Sequence, residues 1–108
     1  MRLLILEDEP LALERLVGIV KKHIDAIEYL DQAQSISEGE ELFDEGKDYD
    51  LIISDIRLAD GLSFELFKKR ELNTPIIFTT AYDEYALDAF DHNGIAYVLK
   101  PVNEEKLV

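Results

Sequence analysis

Acidic side chains stand where this chain passes from apolar to polar, with Glu7 and Asp8 closing one aliphatic run and Asp55 another. Thr79 and Thr80 close a third run, and Lys100 with Pro101 a fourth. Three carboxylates drawn into one cleft repel and raise one another's pKa unless a cation compensates. An all-oxygen donor set without His or Cys suits a hard divalent ion, Mg²⁺, which keeps several waters and commonly holds a substrate phosphate as well. An Asp beside such an ion, with a hydroxyl and an ammonium nearby, is equipped to accept a phosphoryl group. The carboxylate attacks phosphorus while fixed positive charge takes up the equatorial oxygens. Asp55 is assigned as that nucleophile. Asp8 is expected to be the main side-chain ligand of the metal, with Glu7 reaching it directly or through a water and the backbone carbonyl of Arg57 adding a ligand. Thr80 is expected to donate to one phosphoryl oxygen, and Lys100 to act as a compact point charge on another. A cis peptide at Lys100-Pro101 is expected to aim the lysine.

These residues need elements to hold them. Short β-branched or aliphatic runs at 3–6, 28–33, 51–54, 75–79 and 96–99 predict strands. Between them lie helical patterns. The first opens with Pro10, puts Leu13, Leu16, Val17, Val20 and Ile24 on one stripe, and closes with Lys21, Lys22 and His23, as the macrodipole prefers. The second begins at Ser35 or Ser37, each with a Glu three residues later, turns Leu42 and Phe43 inward and stops at Gly46. The third covers about 62–70 on the anchors Phe64, Leu66 and Phe67. The fourth follows the capping-box spacing of Thr80 to Asp83, uses Tyr85, Ala86, Ala89 and Phe90, and ends at Gly94. Residues 103–108 read as the start of a further helix capped by Asn103 and cut short.

Strand and helix alternate, which predicts an α/β domain with a parallel sheet and right-handed crossovers. The runs at 3–6, 51–54 and 75–79 are near-continuously apolar, as when both sheet faces are covered, whereas 28–33 is more polar and belongs at an edge. That favours the strand order 2-1-3-4-5, a doubly wound sheet whose switch point lies between the first and third strands. There Glu7, Asp8 and Asp55 should converge.

The length allows one domain, and a chain of this size buries roughly two thirds of its unfolded surface without staples. With no Cys there is neither a disulfide nor a thiolate metal site. The 24 acidic against 11 basic residues give a net charge of −13, which repels phosphate backbones and anionic lipid, so unaided binding to nucleic acid or membrane is not expected. No apolar run is long enough to span a bilayer, and the acidic turn at Glu7 comes too early for a signal peptide, so a cytoplasmic location is expected. His23 and His92 have no metal-ligand partner at useful spacing and read as solvated helix residues.

At Glu7-Asp8-Glu9-Pro10, Ile53-Ser54-Asp55-Ile56 with Gly61, Phe78-Thr79-Thr80-Ala81 and Tyr97-Val98-Leu99-Lys100-Pro101 the sequence resembles the receiver domains of bacterial two-component response regulators. The match covers essentially the whole chain, 1–108, as one receiver domain without its full C-terminal helix or an output domain. The resemblance implies a flavodoxin-like fold and Mg²⁺-dependent phosphorylation of Asp55 by a histidine kinase or phosphotransfer protein. It also implies a switch in which Thr80 and Tyr97 move together, and a face of fourth helix, fifth strand and fifth helix that changes on phosphorylation and can pair two copies. Glu9-Pro10-Leu11-Ala12 and residues 81–87 resemble the branch with LytTR-type DNA-binding output domains, so contact with DNA is expected only through such an output. Where the commonest pattern has two Asp, this chain has Glu7-Asp8.

Two rival chemistries lack their residues. A haloacid-dehalogenase-like phosphatase needs an Asp-x-Asp pair, and Asp8-Glu9-Pro10 lacks the second Asp. A flavodoxin needs a Ser/Thr/Gly-rich phosphate loop, and an acidic turn has the wrong sign for it. The remaining alternative is a receiver-fold interaction module that works without phosphorylation. In either case no enzyme acting on outside substrates is expected, beyond a domain that helps catalyse its own phosphorylation and dephosphorylation.

Overall fold

The computed structural model describes residues 1–68 and 74–80, together with the backbone path of the strand at 94–99. Its elements are β1 (Arg2–Leu6), α1 (Pro10–His23), β2 (Tyr29–Ala33), α2 (Ile36–Asp44), β3 (Leu51–Asp55), β4 (Arg57–Leu58), β5 (Gly61–Leu62), α3 (Phe64–Lys68), β6 (Ile76–Thr80) and β7 (Gly94–Leu99). Five strands form one parallel sheet in the order β2-β1-β3-β6-β7, which is the expected 2-1-3-4-5 once the short β4 and β5 are set aside. The expected fourth helix, the helix start at Asn103, and Lys100 with the Lys100-Pro101 peptide lie outside the described residues.

The apolar runs feed two cores at once because successive side chains of a strand point to opposite faces. Leu4, Leu6, Ile52, Ile76 and Phe78 pack with Ile36 of α2 and with Phe64, Leu66 and Phe67 of α3. Leu3, Ile5 and Ile53 pack with Leu13, Leu16 and Val20 of α1. Phe78 is fully buried and meets Phe64 and Phe67 edge to face, with ring centroids 5.2 and 6.0 Å away. Gly39 lets α2 lie close to the sheet, for a Cβ there would come within 2.8 Å of a Leu66 methyl and 3.2 Å of a Leu6 methyl.

The helix ends follow the sequence signals with small shifts. Pro10 opens α1, and Lys21, Lys22 and His23 fill its last turn; Ile19 joins the expected buried stripe, and Ile24 is the extended C-cap residue. In α2 the choice between the two serines falls on Ser35, whose hydroxyl accepts from the Glu38 amide at 3.1 Å. The Glu38 carboxylate reaches back to the amide of Gln34, one residue before the cap. The third helix differs from expectation at its start. Gly61 and Leu62 form β5, which pairs antiparallel with β4, so α3 begins at Phe64.

Two polar groups tie the amino ends of the strands. The Arg2 guanidinium and amide both bind the Asp50 carboxylate, and the Asp50 amide returns a bond to the Arg2 carbonyl at 2.8 Å. At the β2 edge, Asp31 accepts from the Tyr49 hydroxyl at 2.8 Å and pairs with Lys47 at 3.1 Å. Tyr29 donates to the Asp48 carbonyl and lies edge to face with Tyr49. Burial and the bond to Asp31 push the Tyr49 phenol well above its usual pKa.

Two outcomes follow. Phe78→Ala should cost about 3–5 kcal/mol, read as a lower urea midpoint. The Arg2 side-chain bond, helped by the Arg2 amide, holds Asp50 at about 2, below the usual 3.8. Its contribution is therefore full above the usual carboxylate value and lost as pH falls through about 2. Asp50→Asn should flatten the acid limb of a stability-against-pH curve in that window and leave its slope near neutrality unchanged.

Candidate functional site

The two faces of the sheet end differently at the carboxyl edge. Glu7 follows Leu3 and Ile5 on the face covered by α1, Asp55 follows Leu51 and Ile53, and Thr79 follows Ile77. Register aligns them, since Leu6 pairs with Ser54, Ser54 with Phe78 and Asp55 with Thr79. One row therefore reads Glu7, Asp55, Thr79, with Val98 of β7 next to Thr79. The apolar rows that build the α1 core give way here to carboxylates and a hydroxyl.

Carboxylate oxygens of Glu7, Asp8 and Asp55 lie within 4.8 Å of one another. Glu7 is fully buried, Asp55 is 5% exposed, and Asp8 is half-buried at the mouth. Backbone bonds lock this geometry. The Glu7 amide donates to the Ala33 carbonyl and the Ile56 amide to the Thr79 carbonyl, each at 3.0 Å, so the ladder continues through the site. The Glu9 amide donates to Glu7 Oε2 at 3.2 Å and the Arg57 amide to Asp55 Oδ1 at 3.3 Å. Three carboxylates so close together call for further donors or a cation on their lone pairs. Such an all-oxygen set, partly buried and open on one side, fits a hard divalent ion.

Beside the cluster opens a cleft of about 400 Å³ lined by Asp8, Arg57, Leu58, Gly61 and Leu62. Its far wall is the β4–β5 ribbon, a feature absent from the sequence reading. The ribbon is closed at its base by the Ser63 amide donating to the Ile56 carbonyl at 2.7 Å, and Gly61 takes a φ of +139° that L side chains rarely adopt. Arg57 is exposed on this wall.

The structure thus brings Glu7, Asp8, Asp55 and Arg57 together. Thr80 is fully buried as the last residue of β6, one position beyond the residue in register with Asp55; the helix expected to follow it lies outside the described residues. Thr79 is the direct neighbour of Asp55, and its buried Oγ1 has no hydrogen-bond partner among the described residues. Tyr97 lies in β7, paired with Phe78. Lys100 lies outside the described residues. Sequence reading missed Asp60, whose carboxylate binds the first amides of α2 and is held below the usual carboxylate range by them, chiefly by the Ile36 amide. Its position before Gly61 signals a turn but not the partner helix. Among the described residues no helix is long and apolar enough to cross a membrane.

Known proteins place this arrangement. The response regulator receiver domain family matches residues 3–108. The sensory transduction protein LytT of Enterococcus faecalis is 41% identical over 99% of this chain and 45% of its own length. The positive alginate biosynthesis regulatory protein of Pseudomonas aeruginosa is 42% identical over 99% of this chain and 44% of its own. This chain therefore spans under half the length of these curated relatives. Among solved structures, a two-component response regulator from Clostridium difficile superposes with a TM-score of 0.84 at 29% identity, covering 99% of this chain and 88% of that one. With its parallel sheet in receiver order and its acidic cleft at the carboxyl edge, the chain belongs to the family of response regulator receiver domains.

Proposed function

We propose that this domain accepts a phosphoryl group on Asp55 from a histidine kinase or phosphotransfer protein and passes the event to an output that controls transcription. The observation that carries this reading is the convergence of Glu7, Asp8 and Asp55 within 4.8 Å beside an open cleft. In the transfer, an Asp55 oxygen forms a bond to phosphorus while the bond from phosphorus to the donor's imidazole nitrogen breaks, and the imidazole leaves with that electron pair. Hydrolysis later returns the carboxylate and inorganic phosphate, so the domain turns over no outside substrate.

Glu7, Asp8, Asp55 and the Arg57 carbonyl would hold Mg²⁺. When bound, the ion supplies positive charge against the carboxylates and the phosphoryl oxygens. The rest falls to the chain. The Arg57 amide orients Asp55 through Oδ1. Thr80 donates to a phosphoryl oxygen, and Lys100 sets its ammonium on another. Phosphorylation adds charge and acceptor oxygens at Asp55, which draws Thr80 toward them. Tyr97 then takes the vacated space, and the population shifts toward an altered fourth-helix and fifth-strand face. Through that face two copies would pair. Contact with DNA would come from an output domain of the LytTR type, since this acidic module repels phosphate. The setting for such a module is the cytoplasm.

Intact mass after treatment with acetyl phosphate tests the assignment. One phosphoryl adduct is expected with Mg²⁺, much less without it, and none on Asp55→Asn. A folded wild-type protein without an adduct would instead support an interaction module that works unphosphorylated. Thermal unfolding tests the ion separately. Without divalent cation Asp8→Asn should melt above wild type, because one of three like charges is gone. At Mg²⁺ 100-fold above its Kd, wild type should gain about 2.7 kcal/mol and the variant distinctly less.

A further inference from the structure

Asp60 sits in the turn of the β4–β5 ribbon, three residues from Arg57, yet its carboxylate is engaged on a different element. Oδ1 accepts from the Ile36 amide at 2.8 Å and Oδ2 from the Ser37 amide at 3.1 Å. These amides belong to the first turn of α2, where no intrahelical acceptor exists. Ser35 serves the same helix end locally by taking the Glu38 amide. Asp60 adds what no residue of α2 can supply, a two-pronged tie between that helix and a ribbon more than twenty positions away in sequence.

The other side of the ribbon lines the cleft beside Asp8. With only two residue pairs it cannot hold its own place, because isolated hairpins are at best marginally stable in water. Its position is set by its attachments. These are the Ser63 to Ile56 bond at the base, the Arg57 amide on Asp55, and Asp60 at the tip. Close packing of the Gly61 backbone on Ile36, whose Cδ1 would lie 3.3 Å from an added Cβ, brings ribbon and helix together at the same point.

We propose that Asp60 is a positioning residue: by clamping the ribbon tip to the start of α2, it holds the cleft wall bearing Arg57 against the Glu7, Asp8 and Asp55 cluster. Movement of α2 and geometry at the phosphoacceptor are then coupled. The consequence for ion binding rests on the reading of this cluster as a Mg²⁺ site; the clamp itself does not.

The experiment compares Asp60→Ala with Ser35→Ala, which weakens the same helix end without touching the ribbon. Asp60→Asn serves as a conservative variant that keeps one acceptor oxygen. Amide hydrogen exchange is followed across residues 56–62, and Mg²⁺ alone is titrated by amide chemical shifts. Asp60→Ala should speed exchange in the ribbon and weaken Mg²⁺ binding about tenfold, the lower end of what loss of an outer partner does to a metal site. Ser35→Ala should leave both at wild-type values, and Asp60→Asn should recover most of the loss. Equal effects from Asp60→Ala and Ser35→Ala would reduce Asp60 to a helix cap and overturn the proposal, as would unchanged ribbon exchange in Asp60→Ala. If Mg²⁺ binds none of the proteins, the ion reading fails, and ribbon exchange alone decides the clamp.

Discussion

Parallel register across β1, β3 and β6 is the constraint on which the carboxyl edge depends. Leu6 against Ser54 and Ser54 against Phe78 leave the following residues no choice: Glu7, Asp55 and Thr79 emerge on the α1 face in one row. A slip of one residue in β3 would turn Asp55 to the face packed by α2 and α3 and bury it among Phe64, Phe67 and Phe78. Burial on both faces prevents this. Because each strand feeds two apolar cores, a slipped strand would misplace every side chain it carries, and the cost would fall on both cores together.

The same arrangement explains how the chain tolerates acids in its interior. Glu7 is fully buried and Asp55 nearly so, with like charge close by, and burying charge is costly unless it is paired or neutralised. Those carboxylates are not scattered through the core. They cap the ends of strands whose preceding residues are among the most completely buried in the chain, Leu3 to Leu6 and Ile52 to Ser54. Local destabilisation is set against the best-packed part of the fold, as is usual where a sequence breaks packing rules for the sake of function.

What the sequence revealed depended on whether the signal was local. Continuous aliphatic runs marked the central strands, the polar 28–33 segment marked an edge, and the Pro10 to His23 stripe marked α1, because each pattern is complete within its own element. The acids at 7, 8 and 55 were legible as one site once alternation of strand and helix had fixed the topology. Other features were not. Strands of two residues, such as β4 and β5, carry no periodicity, so Leu62 read as the start of a helix. Asp60 gave no local signal because its partners, Ile36 and Ser37, come from another element. Of the adjacent Thr79 and Thr80, the one that stands beside Asp55 is settled by inter-strand register, which no single segment encodes.

The cluster at the outer strand has a meaning beyond local packing. β2 borders the sheet, and the free side of such a strand invites a foreign chain to add its own hydrogen bonds and propagate into an aggregate. Asp31, midway along β2 and paired with Leu4, sets a carboxylate on the side of the sheet where an apolar residue would otherwise sit, satisfied by Tyr49 and Lys47 of its own chain. An intruding strand would have to accept that charge or pull it from its partners. An inward carboxylate held by an ion pair and a phenol is thus the kind of feature that opposes strand addition at this edge.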